Sequence, residues 1–140
     1  VATVCKLYRN TPLVVPPNTW TLLTFDSALR NDCGMAQDLS LITPPQDGDF
    51  IWGRNIRWET LTIPEGDKRP RQFMDRFVRL PAGDDTGAQD GPDTPGRDWD
   101  TTVWLFKGYA GVAVGVEVWH DHNDDAVIGH AQFVAQTNDY

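Results

Sequence analysis

The sequence predicts an all-β sandwich, and three observations carry that prediction. Short apolar segments follow one another, each closed by a turn, with ten prolines and twelve glycines in 140 residues. Asp outnumbers Glu 17 to 3; Asp favours turns and caps, whereas Glu favours helix interiors. The clearest apolar periods are two residues long: Phe50, Trp52, Ile56 and Trp58 share one parity, and Val112, Val114, Val116 and Val118 share another.

The elements follow in order. Ala2 to Arg9 reads as a strand, and Asn10 to Asn18, with Pro12, Pro16 and Pro17, as a turn-rich passage. Trp20 to Asp26 is aromatic and β-branched and is expected to be a strand. Residues 27–37 read as irregular, and Leu39 to Thr43 as a short strand stopped by Pro44-Pro45. After the Asp47-Gly48 turn comes a long strand over 49–60, in which Arg54 is the one polar residue on the apolar parity. Residues 72–80, QFMDRFVRL, break alternation at Phe73-Met74 and are assigned to a strand by their neighbours.

Pro81 to Asp100 reads as a loop, with six aspartates, four glycines and Trp99 as its only large apolar residue; loops this long are functional or disordered. Strands are expected over Thr101 to Phe106, Tyr109 to His120 and Val127 to Gln136, with a polar turn at His120 to Asp125. The whole chain, 1–140, reads as one domain with one core.

Composition excludes several roles. A net charge of −8 argues against nucleic acid and against an anionic membrane surface as partner. No apolar run approaches the roughly 20 residues that span a bilayer. No signal peptide is visible, and the Val-Ala-Thr start fits removal of an initiator Met. Cys5 and Cys33 are expected to be free thiols, with a single disulfide as the alternative.

The order of the segments resembles the C1q/TNF-like jelly roll. The features are the opening strand with its Arg-Asn turn (Val4 to Asn10), Pro17-Asn18-Thr19-Trp20, Phe25-Asp26, the Pro45-Gln46-Asp47-Gly48-Asp49-Phe50 turn leading to Trp58, the paired strands within Val103 to Val118, and a last strand with Phe133. The resemblance spans most of the chain. The 81–100 loop and the continuation to Tyr140 depart from it.

It implies an all-β jelly-roll sandwich assembled as a homotrimer, without a cofactor. Small free-standing proteins of this pattern resemble bacteriophage virion proteins: capsid decoration, minor tail or fibre-head proteins, assembled in the host cytoplasm. The implied role is non-enzymatic contact with other virion proteins. A host-receptor or carbohydrate-binding module is the first alternative, and a small cupin-like metalloenzyme the second.

The candidate residues follow. Trp99, with Asp98 and Asp100, is the expected outward contact for a ligand or partner. Ala113, Gly115, Glu117 and Trp119 form the expected trimer seam, because small side chains beside Trp119 let another backbone approach. The competing reading is a crowded spot inside the monomer.

His120 and His122 share a strand parity and are weak metal candidates. No glutamate follows at cupin spacing, so a solvated polar turn is preferred. The loop aspartates lack an EF-hand register for Ca²⁺. Ser27 and Ser40 lie in no nucleophile elbow, and Glu59 and Glu65 give no specific glycosidase signal. The tryptophans invite a glycan reading, but strand tryptophans are more often core or interface.

Overall fold

The computed structural model describes residues 3–61, 65–67, 71–80, 84–90 (backbone only) and 100–137. Its strands are β1 (Val4–Arg9), β2 (Leu13–Val15), β3 (Thr21–Leu22), β4 (Ser27–Asn31), β5 (Gly48–Trp58), β6 (Phe73–Leu80), β7 (Asp84–Asp90), β8 (Asp100–Gly108), β9 (Ala113–His120) and β10 (Ala126–Thr137), with a 3₁₀ turn at Asp32–Gly34. No α-helix occurs among the described residues.

Two antiparallel sheets make the sandwich. One runs β4-β1-β10-β5-β8, with β2 also paired to β10; the other runs β3-β9-β6-β7. Period-two alternation explains how they meet. On β5, Phe50, Trp52, Arg54, Ile56 and Trp58 are all buried, while Ile51, Gly53, Asn55 and Arg57 face outward. On β9, Val114, Val116, Val118 and His120 point inward. Between the sheets, Trp52 stacks on Phe106 with centroids 4.8 Å apart and meets Phe77 and Phe133 at 6.5 and 6.1 Å. Trp58 meets Phe73 edge-on at 4.9 Å. Fully burying side chains of this size contributes roughly 1.5–3 kcal/mol each.

Two sequence segments quoted for the resemblance touch one another. The backbone N–H groups of Asn10 and Thr11 donate to Asp26 Oδ2 at 2.7 and 3.1 Å. Arg9 in turn donates to the carbonyl of Thr24 at 3.1 Å and to that of Pro12 at 3.1 Å. The Arg-Asn turn and the Phe-Asp segment thus form one hydrogen-bonded corner.

The structure corrects four expectations. Residues 81–100 are not loop throughout, because β7 pairs with β6 from Met74↔Asp90 to Arg79↔Asp84. Backbone pairing there overrides a composition that reads as solvated. Residues 27–31 form β4, recruited to β1 with a register shift at Lys6/Leu7. Trp20 to Asp26 keeps only two ladder residues, although Leu23 and Phe25 are buried. Leu39 to Thr43 contributes a single bridge, Ile42 to Val114. Alternation is intact at Phe73-Met74, against expectation, and breaks at Phe77-Val78, next to a register shift at Asp75/Phe77 where β6 meets β7.

Both cysteines are free, Cys5 buried and Cys33 exposed. Burial, and then the nearby Asp32 charge, push the Cys5 thiol up to about 11. It is an inert core residue at neutral pH.

Candidate functional site

Trp99 and Asp98 lie outside the described residues. Asp100 corrects the outward reading, because it is buried at the start of β8. The parity of β8 turns it inward, toward Arg54 of β5 and Asp75 of β6. Arg54 Nε donates to Asp75 Oδ1, and Arg54 Nη2 donates to the Asp75 carbonyl at 3.2 Å. The Arg54 guanidinium lies 4.4 Å above the Phe77 ring.

Burial pushes the Asp100 carboxyl up to about 8, the hydrogen bond and charge of Asp75 add to the rise, and Arg54 opposes it. Asp100 therefore keeps its proton at neutral pH and donates to the Asp75 carboxylate. Burial thus favours the neutral form of Asp100 beside the Arg54–Asp75 ion pair. The three residues come from both sheets and staple them together. The only sequence signal for this cluster is Arg54 on the apolar parity of β5.

The expected seam on β9 is covered by its own chain. A Cβ on Gly115 would lie 2.9 Å from Leu22 Cδ1 and 2.9 Å from Leu41 Cδ2. The backbone approach at Gly115 is thus intramolecular, as the competing reading held. Glu117 is bound by Arg76, whose Nη2 lies 2.7 Å from Glu117 Oε1. The Arg76 guanidinium stacks 3.9 Å from the Trp20 ring, and Trp20 lies 6.5 Å from Trp119. Ala113 is half-buried and pairs with Leu80.

His120 and His122 do share one direction, and both are buried, so the solvated-turn reading holds for the exposed Asn123 to Asp125 but not for the two histidines. The β9 alternation simply continues one step past Val118. His120 Nε2 donates to the Val15 carbonyl at 2.7 Å, and its Nδ1 accepts the His122 N–H at 3.1 Å. The ring stacks on Phe73 at 5.7 Å and meets Trp58 edge-on. Burial holds its pKa below the ordinary histidine value. His122 Nδ1 accepts from Arg71 Nε at 3.2 Å. The Nδ1 lone pairs of both rings are used within the protein, and no group of three metal-ligating residues occurs among the described residues.

The open surface is elsewhere. On the outer face of the six-stranded sheet, Gly53 forms the floor of a hollow of about 270 Å³, with Ile51, Val103, Val134, Asn55, Gln132 and Lys6 among its walls. A Cβ on Gly53 would meet only ordinary contacts, Thr102 O and Val134 Cβ, both at 3.9 Å. Asn55 Nδ2 donates to Gln132 Oε1 at 3.2 Å. Asn55 Oδ1 is buried with no hydrogen-bond partner among the described residues. Beside the hollow, Val103, Trp104 and Leu105 of β8 are 67%, 45% and 58% exposed. Sequence reasoning missed this surface. The signal was available as glycine and small polar residues on the outward parity of β5, but it was weighed only at Gly115.

No protein-family model matches the chain, and no curated protein does. No helix among the described residues is long and apolar enough to cross a membrane.

Proposed function

We propose that this chain is a jelly-roll subunit of a bacteriophage virion surface, assembled as a homotrimer and acting through protein contacts and not catalysis. The strand order supports the jelly-roll part. Successive connections, β5 to β6, β7 to β8, β8 to β9 and β9 to β10, each cross or return between the two sheets so as to give β1-β10-β5-β8 facing β3-β9-β6-β7. That order supports a reading as the two-Greek-key wrapping of eight strands used by viral capsid and lectin domains. Fold alone does not fix function, so the virion role rests on the resemblance of the ordered segments.

The observation that carries the assembly reading is the hollow over Gly53. A strand glycine with open space above it lets a neighbouring backbone approach closely. Here Ile51, Val103 and Val134 supply the apolar contact. Asn55 Oδ1 supplies an acceptor that a donor from a neighbouring subunit would satisfy. The seam thus moves from β9 to the outer face of the six-stranded sheet.

Sedimentation tests it. Wild-type protein is expected to run as a trimer or a multiple of one, and Gly53→Lys, whose Cβ meets only ordinary contacts in its own chain, is expected to lose the threefold state while keeping its thermal midpoint. Unchanged assembly of that variant would refute the seam. A density map of the assembled particle tests the virion role, because it displays location and neighbours together.

A second reading has its own observation. Trp20 and Trp119 lie side by side on the opposite face, with Arg76 and Glu117 at their rim. Aromatic rings flanked by donors and acceptors suit a host-surface sugar. A glycan screen comparing wild type, Trp119→Ala and Trp99→Ala decides it; no binding by wild type removes the idea.

A further inference from the structure

A sandwich of this kind has four sheet edges, and natural proteins blunt such edges against stray pairing. Besides the three-residue β2, which pairs only with β10, three of these edges are blunted. β3 has two residues. β4 carries Arg30, in an ion pair with Asp32, and runs into the 3₁₀ turn where Cys33 takes φ 56. β7 carries Asp84, Asp85 and Asp90. The fourth edge, β8, is nine residues long and contains no proline, and Val103, Trp104 and Leu105 at its centre are exposed. Among the described residues it pairs on one side only, with β5.

We infer that β8 is a homotypic docking edge: two copies pair their β8 strands antiparallel about a twofold axis at Trp104, joining two six-stranded sheets into one. The register argues for a second copy as the occupant. Centred on Trp104, it sets Val103 opposite Leu105 and Thr102 opposite Phe106. Val103 and Leu105 then meet as an aliphatic pair, and Trp104 meets its own copy. The same register sets Thr101 opposite Lys107 and Asp100 opposite Gly108, so no like charges face each other.

Charge favours the same place. A chain of net charge −8 repels its copies, but residues 101–106 carry no charge. Because Trp104 has the opposite parity to Val103 and Leu105, pairing covers apolar side chains on both faces of the ribbon. Val103 also borders the hollow over Gly53, so the edge contact adjoins the threefold seam but does not require it.

The test uses the intact chain with Cys33→Ser as background. Residues directly opposite in an antiparallel pair lie about 4.5–5.5 Å apart at Cα, within the roughly 4.4–6.8 Å that a disulfide accepts. Trp104→Cys should therefore form an interchain disulfide at micromolar concentration, several-fold faster than Val14→Cys, an exposed control on β2. In sedimentation, wild type should contain an even number of subunits, and Trp104→Lys or Leu105→Lys should halve that number without lowering the thermal midpoint.

Equal crosslinking of the two cysteine variants would overturn the proposal, as would an unchanged mass in both lysine variants. A wild-type trimer that falls apart with Gly53→Lys but ignores both β8 variants would sink the edge and leave the seam standing. A dimer halved by Trp104→Lys but indifferent to Gly53→Lys would do the reverse.

Discussion

On the four-stranded sheet the chain returns over its own outer face. Leu22 and Leu41 lie over Gly115, and Trp20 lies over Arg76, which holds Glu117. On the six-stranded sheet, Gly53 has the same outward parity and the same missing side chain, yet among the described residues it keeps open space above it. A strand glycine says only that something can come close. What comes close is decided by where the connections run. The segments before β3 and around Leu41 pass over β9, and in the described chain no such segment passes over β5. The first face is closed within the subunit, and the second is left for contact.

Both faces depend on the two sheets being locked in one arrangement. The sharpest test is Asp75→Ala. It leaves the Arg54 charge buried without its main partner, and losing one member of a buried pair costs about 3–5 kcal/mol. Arg57→Ala, on the outward parity of the same strand, should change stability by less than about 0.5 kcal/mol. Urea midpoints of the two variants measure the contrast. Similar midpoints would mean that Arg54 does not clamp the sheets. Replacing both partners, with Arg54→Met and Asp75→Leu together, should recover most of the loss, because no charge then remains unpaired.

The glycines come next. Gly115→Val places its side chain against Leu22 and Leu41, and overpacking of this kind costs about 1–3 kcal/mol. Gly53→Val enters open space and gains strand propensity, on a scale that spans about 1 kcal/mol, so it should be neutral or slightly stabilising. Thermal unfolding of both variants decides. A loss at Gly53 equal to that at Gly115 would erase the difference between the two faces.

The sequence made the inner faces legible and the outer faces largely not. Alternation at Phe50, Trp52, Ile56 and Trp58, and along Val114 to Val118, reports burial directly, since period two sorts side chains before any partner is known. It also carried the clue to the staple, because Arg54 stands on the apolar parity. Trp104 and Leu105 defeated the same logic. They sit in a strand pattern that reads as core, but an edge strand exposes what a central strand buries, and edge position is a property of topology. His120 and His122 failed for a related reason. The polar residues after them read as a turn, while the alternation of β9 turns His120 inward and His122, just past its end, is buried with it. β7 was hidden by six aspartates between 81 and 100, because ladder pairing with β6 leaves no mark on composition.

A third test uses pH. The Asp100 carboxyl is raised from 3.8 to about 8 in the folded chain. A raised carboxyl stabilises the fold fully below its unfolded value, and that contribution is lost as pH rises through the folded one. Asp100 should therefore make stability fall between about pH 4 and 8 and level off above, with a slope of at most about 1.4 kcal/mol per pH unit for one linked proton. His120, held neutral by burial, acts in the opposite direction as pH falls below the ordinary histidine range. Comparison of wild type with Asp100→Asn removes that term. The urea midpoint of wild type relative to the variant should fall from pH 5 to pH 9. A difference independent of pH would place the proton elsewhere in the cluster.

The smallest expected effect bears on the closed face itself. Arg76 is half-buried between Glu117 and Trp20, so it makes an ion pair and a cation–π contact at once. A double-mutant cycle between Arg76→Ala and Glu117→Ala should give a coupling of about 0.2–1 kcal/mol, weakened by added salt. The cycle between Arg76→Ala and Trp20→Ala should give about 0.5–1 kcal/mol for a contact still partly wet. If the second coupling were zero, the indole of Trp20 would not be held by its own chain. The outer face of the four-stranded sheet would then count as open. Trp20 and Trp119 would become a free aromatic platform, and the balance would move from a closed structural surface toward the sugar-binding reading.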